Sequence, residues 1–504
     1  MSLKRQVGFG LFWVALGTIG AKALSLLRKL LLARFLLPSD FGLVAYASLA
    51  IGALELFKEL GFSSALIYRK DKVEEAADTI FIALLAASLV IYGIAWLTAP
   101  WVAGFFRNEA LVPVLRVLSL NLIISSVGRV PQTLLVKEMG FKKKVLPELL
   151  AATVGAALSI AMVFMGYGVW SIVWGQLAVS ILSSALVWIY CPWRPTFRFS
   201  KSVAGELWDY GRHIFSSQVM VFFITNIDDT FVGRLLGDTS LGYYNLAYDL
   251  SNLPATHISR IVGQVMFPAF TKVGEDLQRL RDVFFRSMKY VALVATPVAI
   301  VTLVFARSFI IVAYGNKWFP AAVPLQWLTV YGLARAIAVN MGNVFKAGGK
   351  PKWLVGIASW RLAMMAIFLY PAIKWRGVLG VAQLSAAVAV VDFGISVVLT
   401  NRIVKASWKR YACTLLPMIV VAAASAWGFY QLYLWLEPRL HPFVSMPLCG
   451  ALALIVYLGI LWLFDRELRA VVSEVFGGMQ RSMRRYLEAH DQTRLLAAIT
   501  RMGW

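Results

Sequence analysis

Ala33-Arg34-Phe35-Leu36-Leu37-Pro38-Ser39-Asp40-Phe41-Gly42 returns two hundred residues later as Gly233-Arg234-Leu235-Leu236-Gly237-Asp238-Thr239-Ser240-Leu241-Gly242. In both stretches an apolar run ends at an arginine, crosses a short turn and resumes beside a glycine. The match carries on to Ala47 and Ala247, further than a turn alone requires. Self-similarity over such a distance marks a duplicated structural unit. In membrane proteins two such units packed face to face are the usual construction of a transporter.

The composition places the duplication in a membrane. Of 504 residues 60% are hydrophobic and only 15% charged, whereas soluble domains carry about 25% charged residues. Stretches such as Ile80–Trp96, Val145–Gly166 and Tyr411–Leu436 are long enough to cross a hydrocarbon core about 30 Å thick. The fold class is an all-α polytopic membrane protein. Lys4-Arg5 opens an apolar run without a small-residue cleavage site, and the run continues through Lys22 to Leu32, so it reads as an uncleaved first span. Cys191, Cys413 and Cys449 lack ligand or pairing spacing and the four histidines are scattered, so neither a metal nor a disulfide framework is expected.

The formal net charge of +23 would suggest nucleic acid in a soluble protein. In a membrane protein two other sources compete, basic cytoplasmic loops and a cationic cavity for an anionic ligand, and the distribution supports both. No nucleic-acid partner is expected. Apolar runs predict about fourteen spans. They lie near 9–34, 41–60, 79–105, 111–135, 145–165, 168–190, 212–234, 241–268, 284–306, 322–345, 353–373, 377–400, 411–436 and 443–464. Alternate loops are basic: Arg69-Lys70-Asp71-Lys72, Lys142-Lys143-Lys144, Arg198 with Lys201, Arg279 with Arg281, Lys350 with Lys352, and Lys409-Arg410. Both termini are therefore expected in the cytoplasm.

The polar stretch near 192–211 divides an N-terminal lobe (1–191) from a C-terminal lobe (212–402), each of six spans and parallel in topology. Phe106-Arg107-Asn108 before span four is placed like Tyr314-Gly315-Asn316 before span ten, a further echo of the duplication. Residues 403–464 add two spans outside the repeat. The tail, 465–504, reads as a basic amphipathic helix on the anionic leaflet, with partner docking as the alternative.

Charged side chains at mid-bilayer cost at least about 2.5–3.5 kcal/mol and so mark cavities or partners. Span one carries Thr18, Lys22, Ser25 and Lys29 at helical spacing; span four carries Asn121, Ser125, Arg129 and Gln132; span eight carries Asn245, Asp249, Asn252, Thr256 and Arg260 beside His257. Span seven adds Asp229 and span ten Arg335. Such stripes also hydrogen-bond neighbouring helices. Arg361 and Asp392 are expected to pair and hold spans eleven and twelve together, and Glu55, Lys58 and Glu59 to form an interfacial charge cluster. Lys22, Arg129, Arg260 and Arg335 are left as cations without matching carboxylates, candidates for binding an anionic substrate. A phosphate fits that set, since Arg grips it through paired hydrogen bonds and Lys as a point charge.

The chain resembles the polysaccharide transport family of oligosaccharide-lipid flippases, the Wzx type, in the superfamily that also holds MATE drug exporters and the lipid II flippase. The resemblance rests on Leu37-Pro38-Ser39-Asp40-Phe41-Gly42, Glu59-Leu60-Gly61-Phe62 to Ala65-Leu66-Ile67, Asn226-Ile227-Asp228, Gly233-Arg234-Leu235-Leu236-Gly237, Gly315-Asn316-Lys317-Trp318 and Gly348-Gly349-Lys350-Pro351. It implies flipping of undecaprenyl-pyrophosphate-linked repeat units across the bacterial inner membrane by rocking of two six-helix lobes. It also implies a lateral portal between spans one and eight, and the polysaccharide polymerase and chain-length machinery as partners. By place, Lys22 and Arg260 look similar to cavity arginines of spans one and eight in the lipid II flippase, but the site as a whole is not carried over. Span two departs from the pattern, with Lys58 near the interface.

Two alternatives remain open. A MATE-like exporter of cationic compounds would use an acidic cavity, and Asp249 keeps that reading alive. A membrane glycan polymerase or ligase needs a large external loop with catalytic groups, and no such loop or nucleophile–base pair is visible. No enzymatic activity and no cofactor are expected. Asp249 with His257 is a candidate site for coupling to a proton or sodium ion, with membrane potential as another source. Finally, the two-hundred-residue offset sets Arg28-Lys29 opposite Asp228-Asp229. These pairs are expected either to meet as a gate between lobes or to snorkel separately to headgroups.

Overall fold

A computed structural model describes the chain except residues 1–2, 60–61, 70, 139, 197, 253–265, 267–269, 271–275, 465–468 and 470–504; within helices it leaves the side chains of 1–16, 18–19, 207, 209–214 and 216–217 aside. The described residues form helices and turns, with no strand among them. In chain order the helices are α1 (Leu3–Phe35), α2 (Pro38–Glu59), α3 (Phe62–Tyr68), α4 (Val73–Phe106), α5 (Leu111–Leu118), α6 (Leu120–Lys137), α7 (Phe141–Phe164) and α8 (Trp170–Tyr190). The second half continues with α9 (Lys201–Leu236), α10 (Asp238–Ser251), α11 (Leu277–Phe309), α12 (Ala322–Ala347), α13 (Lys352–Val404), α14 (Trp408–Leu436) and α15 (Pro442–Phe464). Ten helices among the described residues are long and apolar enough to cross a membrane. Large side chains such as Trp101, Phe164, Trp375 and Phe464 stand fully outward, a surface suited to lipid rather than water.

Several helices outrun their predicted spans. α9 has 36 residues, about 54 Å at 1.5 Å each, and so begins well outside a 30 Å core. α13 holds two predicted spans in one 53-residue element. Its helical path breaks at Arg376 and at Gly377, whose φ of 55° suits a residue without Cβ, and the chain folds back on itself there. A Cβ on Gly380 would come 2.0 Å from the Ala372 carbonyl oxygen, which fixes how tight that reversal is. Arg361 and Asp392 lie nearly equal distances from the break and form an ion pair between the two arms, as the sequence led us to expect.

Helices α1–α8 pack mainly among themselves, as do α9–α15, and the two groups meet chiefly where α2 crosses α10. That crossing is made by the repeated motif. A Cβ on Gly42 would lie 1.9 Å from the Asp238 carbonyl oxygen, and one on Gly242 would lie 2.1 Å from that of Pro38. The two glycines and the two carbonyls are each two hundred residues apart, so each copy seats the other. Only a residue without a side chain lets backbones approach this closely.

The motif ends are tied crosswise as well. Tyr46, fully buried, donates its hydroxyl to the Gly233 carbonyl at 2.9 Å and stacks on Phe106. In the other copy Trp318 donates its indole N–H to the Ala33 carbonyl at 2.9 Å, and Lys317 reaches the Arg34 carbonyl at 2.9 Å. Asn108 donates to Asp238 at 2.8 Å. Residues 310–314 form a π turn, and Arg34 donates to the Val312 carbonyl within it. The echo between Arg107 and Gly315 is conformational too, since both have positive φ, 57° and 95°.

Candidate functional site

Beneath this crossing, between the two helix groups, lies a cavity of about 220 Å³. Arg28 and Lys29 enter it from α1, Phe41, Val44 and Ser48 from α2, Gln176 from α8, and Asn245 and Asp249 from α10. Helical spacing explains the set. Lys22, Ser25 and Lys29 share a stripe of α1, and Asn245 and Asp249 are four apart on α10. Lys29 forms an ion pair with Asp249, both side chains 38% exposed, and so links α1 to α10 across the cavity. Arg28 lines the same space with no hydrogen-bonding or ionic partner among the described residues. Among the described residues the charged lining is thus two cations against one carboxylate, and that carboxylate is already engaged.

This arrangement revises the expected gate. Lys29 is partnered by Asp249, not by Asp228. Asp228, 7% exposed, instead accepts a hydrogen bond from the Tyr244 hydroxyl within its own helix pair. A buried carboxylate keeps whichever donor is nearest, and Tyr244 on α10 faces α9 directly. Asp249 is thus paired with Lys29 and not with Lys22.

The four expected substrate cations do not share one site. Lys22 is half-buried on α1, two turns before Lys29, with no partner among the described residues. Arg129 is not without a carboxylate: it donates from Nε to Glu59 at 2.8 Å and from Nη2 to the same oxygen. The expected interfacial cluster is therefore an interhelical one. Glu55, Lys58 and Glu59 share a face of α2 turned toward α6, where Lys58, 4% exposed, reaches Ser125 at 2.8 Å. A buried ammonium needs several oxygens, and Glu55, Ser125 and the Leu122 carbonyl supply them.

Arg335 lines a separate cavity of about 290 Å³ between α12 and α13, with Arg361, Asn343 and Lys346. It donates to the Tyr331 hydroxyl at 2.6 Å, which meets that of Tyr248. Arg260 and His257 lie outside the described residues. No group of His, Cys, Asp or Glu able to hold a metal occurs among the described residues. Sequence reading passed over Arg28 as a cavity residue and missed Gln176, Tyr46 and Trp318. Trp318 had a signal, since it closes the quoted Gly315-Asn316-Lys317-Trp318.

Comparison with known proteins agrees with this architecture. Residues 31–323 match a family described as "Polysaccharide biosynthesis protein". The chain is 26% identical over 425 residues to the teichuronic acid biosynthesis protein TuaB of Bacillus subtilis, covering 84% of this chain and 88% of that one. It is 25% identical over 439 residues to the lipopolysaccharide biosynthesis protein WzxC of Escherichia coli, with the same coverage of 84% and 88%. Among solved structures, the lipid II flippase MurJ in an inward closed conformation superposes with a TM-score of 0.68 at 15% identity, over 90% of this chain and 99% of that one. The similarity to MurJ is one of fold. With more than half of its length inside the matched range, the chain belongs to the polysaccharide biosynthesis protein family.

Proposed function

We propose that this protein is a flippase that moves undecaprenyl-pyrophosphate-linked oligosaccharide units across the bacterial inner membrane for surface polysaccharide assembly. The observation that carries the reading is the cavity between the two helix groups, where Arg28 has no partner among the described residues and Lys29 can exchange Asp249 for a stronger anion. A pyrophosphate offers two charges and several acceptor oxygens, and an arginine beside a lysine meets both. Membership of a polysaccharide biosynthesis family supplies the context, and the relatives' names place them in teichuronic acid and lipopolysaccharide synthesis.

In this reading both arms of α13, together with α1, α9 and α10, complete fourteen passes with the other long helices, arranged as two six-helix lobes and a final pair. The basic loops face the cytoplasm, so the α2–α10 crossing closes the periplasmic side. Lys22 would receive the pyrophosphate deeper along the α1 stripe, and Arg260 would do so from span eight. Asp249 held by Lys29 weakens the exporter alternative, because a cationic substrate would meet a neutralised carboxylate flanked by Arg28. An ion coupled through Asp249 has to displace Lys29 first.

The test is surface glycan in a deletion strain complemented with variants. Arg28→Ala, Lys22→Ala and Arg260→Ala are each expected to restore little polysaccharide at wild-type protein levels. Full rescue by all three overturns the cationic-cavity reading. A drug-sensitive deletion strain with normal glycan favours the exporter.

A further inference from the structure

The cavity between the helix groups has a second kind of lining. Its cations come from α1 alone, whereas Ser48 of α2, Gln176 of α8 and Asn245 of α10 bring neutral hydrogen-bonding groups to the other walls. None of these three side chains has a hydrogen bond to another described residue. Helical spacing keeps them on the cavity. Phe41, Ala45 and Ser48 follow one another along α2, Ile172 and Gln176 along α8, and Asn245 and Asp249 along α10. Phe41 adds an aromatic wall that is fixed in advance. Its ring meets the Trp318 ring edge-on at 5.2 Å and 82°, and Trp318 is itself fully buried and tied to the Ala33 carbonyl.

Neither the anion nor the lipid of the substrate calls for these groups. Pyrophosphate oxygens only accept hydrogen bonds and Arg28 and Lys29 only donate them, but an amide does both. An isoprenoid chain would leave both amides without a partner. A pyranose ring matches them, because its neighbouring hydroxyls donate and accept side by side while its C–H face rests on an aromatic ring. On the flippase reading, we propose that Gln176, Asn245 and Ser48, with Phe41 as a platform, bind the sugar bonded directly to the pyrophosphate and so select the unit by its first sugar. The pyrophosphate on Arg28 and Lys29 is what brings that sugar to them. At about 220 Å³ the cavity is smaller than the roughly 300–1,000 Å³ of sites that enclose drug-sized ligands, so the outer sugars and the lipid lie beyond it. Gln176 belongs to the first helix group and Asn245 to the second, so a sugar held by both also spans the two groups.

Native mass spectrometry of the full-length protein in detergent tests this with separate probes. They are undecaprenyl pyrophosphate, the lipid-linked unit extracted from the deletion strain, that unit trimmed by glycosidases to its first sugar, and the uridine diphosphate form of the same sugar. The trimmed unit is expected to bind at least about tenfold more tightly than bare undecaprenyl pyrophosphate, and within about threefold of the whole unit. Gln176→Leu and Asn245→Leu are each expected to weaken the trimmed unit about fivefold more than the bare pyrophosphate, a split that general damage to the fold does not produce. Equal affinity for the trimmed unit and the bare pyrophosphate, or equal losses for both in the two variants, overturns the proposal. A larger gain from the outer sugars overturns the assignment to the first one. Binding of the uridine diphosphate sugar as tightly as the trimmed unit overturns the lipid-linked assignment in favour of a soluble nucleotide sugar. Arg28→Ala keeps the two readings apart: it is expected to weaken every probe, and if it weakens none the cationic cavity fails while the split at Gln176 and Asn245 still decides the sugar.

Discussion

Where α2 crosses α10 the chain touches itself backbone to backbone, but α1 and α10 are bridged by a long lysine side chain reaching a short aspartate. The first contact depends on two glycines with carbonyls 1.9 and 2.1 Å from where a Cβ would stand. The second depends on the Lys29–Asp249 pair, half in contact with solvent. Backbone contact holds one separation and tolerates no other, because a buried carbonyl cannot be recentred by a rotamer change. A lysine four methylenes long can release its partner and find another anion. The difference separates a fixed pivot from an adjustable bridge, two turns apart on the same face of helix α10.

The largest expected effect comes from filling the pivot. Gly42→Leu or Gly242→Leu gains up to about 0.8 kcal/mol of helix propensity, yet sets a branched side chain on a carbonyl. Overpacking of that kind costs about 3 kcal/mol or more when backbone has to move. Fluorescence-detected size exclusion is expected to show loss of the monodisperse peak. A variant as stable as wild type would mean that the helices do not meet there.

An intermediate effect is expected at the crosswise ties. Trp318→Phe keeps an aromatic ring but leaves the Ala33 carbonyl without its indole donor, about 1–2 kcal/mol for a buried group. Its melting temperature should fall well below that of Trp101→Phe, a control on an exposed tryptophan. Equal melting temperatures would remove the tie from the pivot.

The smallest stability effect belongs to the bridge. Lys29→Met or Asp249→Asn should change stability by only about 0–1 kcal/mol, as half-exposed ion pairs do. Cysteines at 29 and 249 are expected to be joined by a short bifunctional thiol reagent in place of the lysine's reach, while pairs 28/229 and 29/228 are not in this conformation. Preferential cross-linking at 29/228 would restore the gate first read from the repeat and displace the bridge described here.

Much of the architecture was legible because it is written locally. Apolar run length located the helices, and the two-hundred-residue offset named the glycines that meet. The Arg361–Asp392 pair was legible for the same reason: two arms joined by a tight reversal bring equidistant residues together. Partners separated by unrelated helices were not. Glu59 and Arg129 are 70 residues apart, and Lys29 and Asp249 are 220 apart. Nothing in either segment states which face of which helix lies opposite. The charge reversal between Arg28-Lys29 and Asp228-Asp229 was real in the sequence, but Tyr244 had a prior claim on Asp228. A two-residue offset match gives no weight to a hydroxyl on the neighbouring helix.

The mutual seating of Gly42 on Asp238 and Gly242 on Pro38 has a consequence for origin. Self-complementary contacts of this kind, residue i on j and j on i, are what two identical subunits make about a two-fold axis. A half-length ancestral chain carrying Pro38 and Gly42 would have possessed both sides of the joint in one surface, and so been able to dimerise before any duplication fused its copies. Fusion then freed the rest of each copy to drift. That accounts for a chain whose halves keep the same joint while one presents arginine and lysine where the other presents two aspartates.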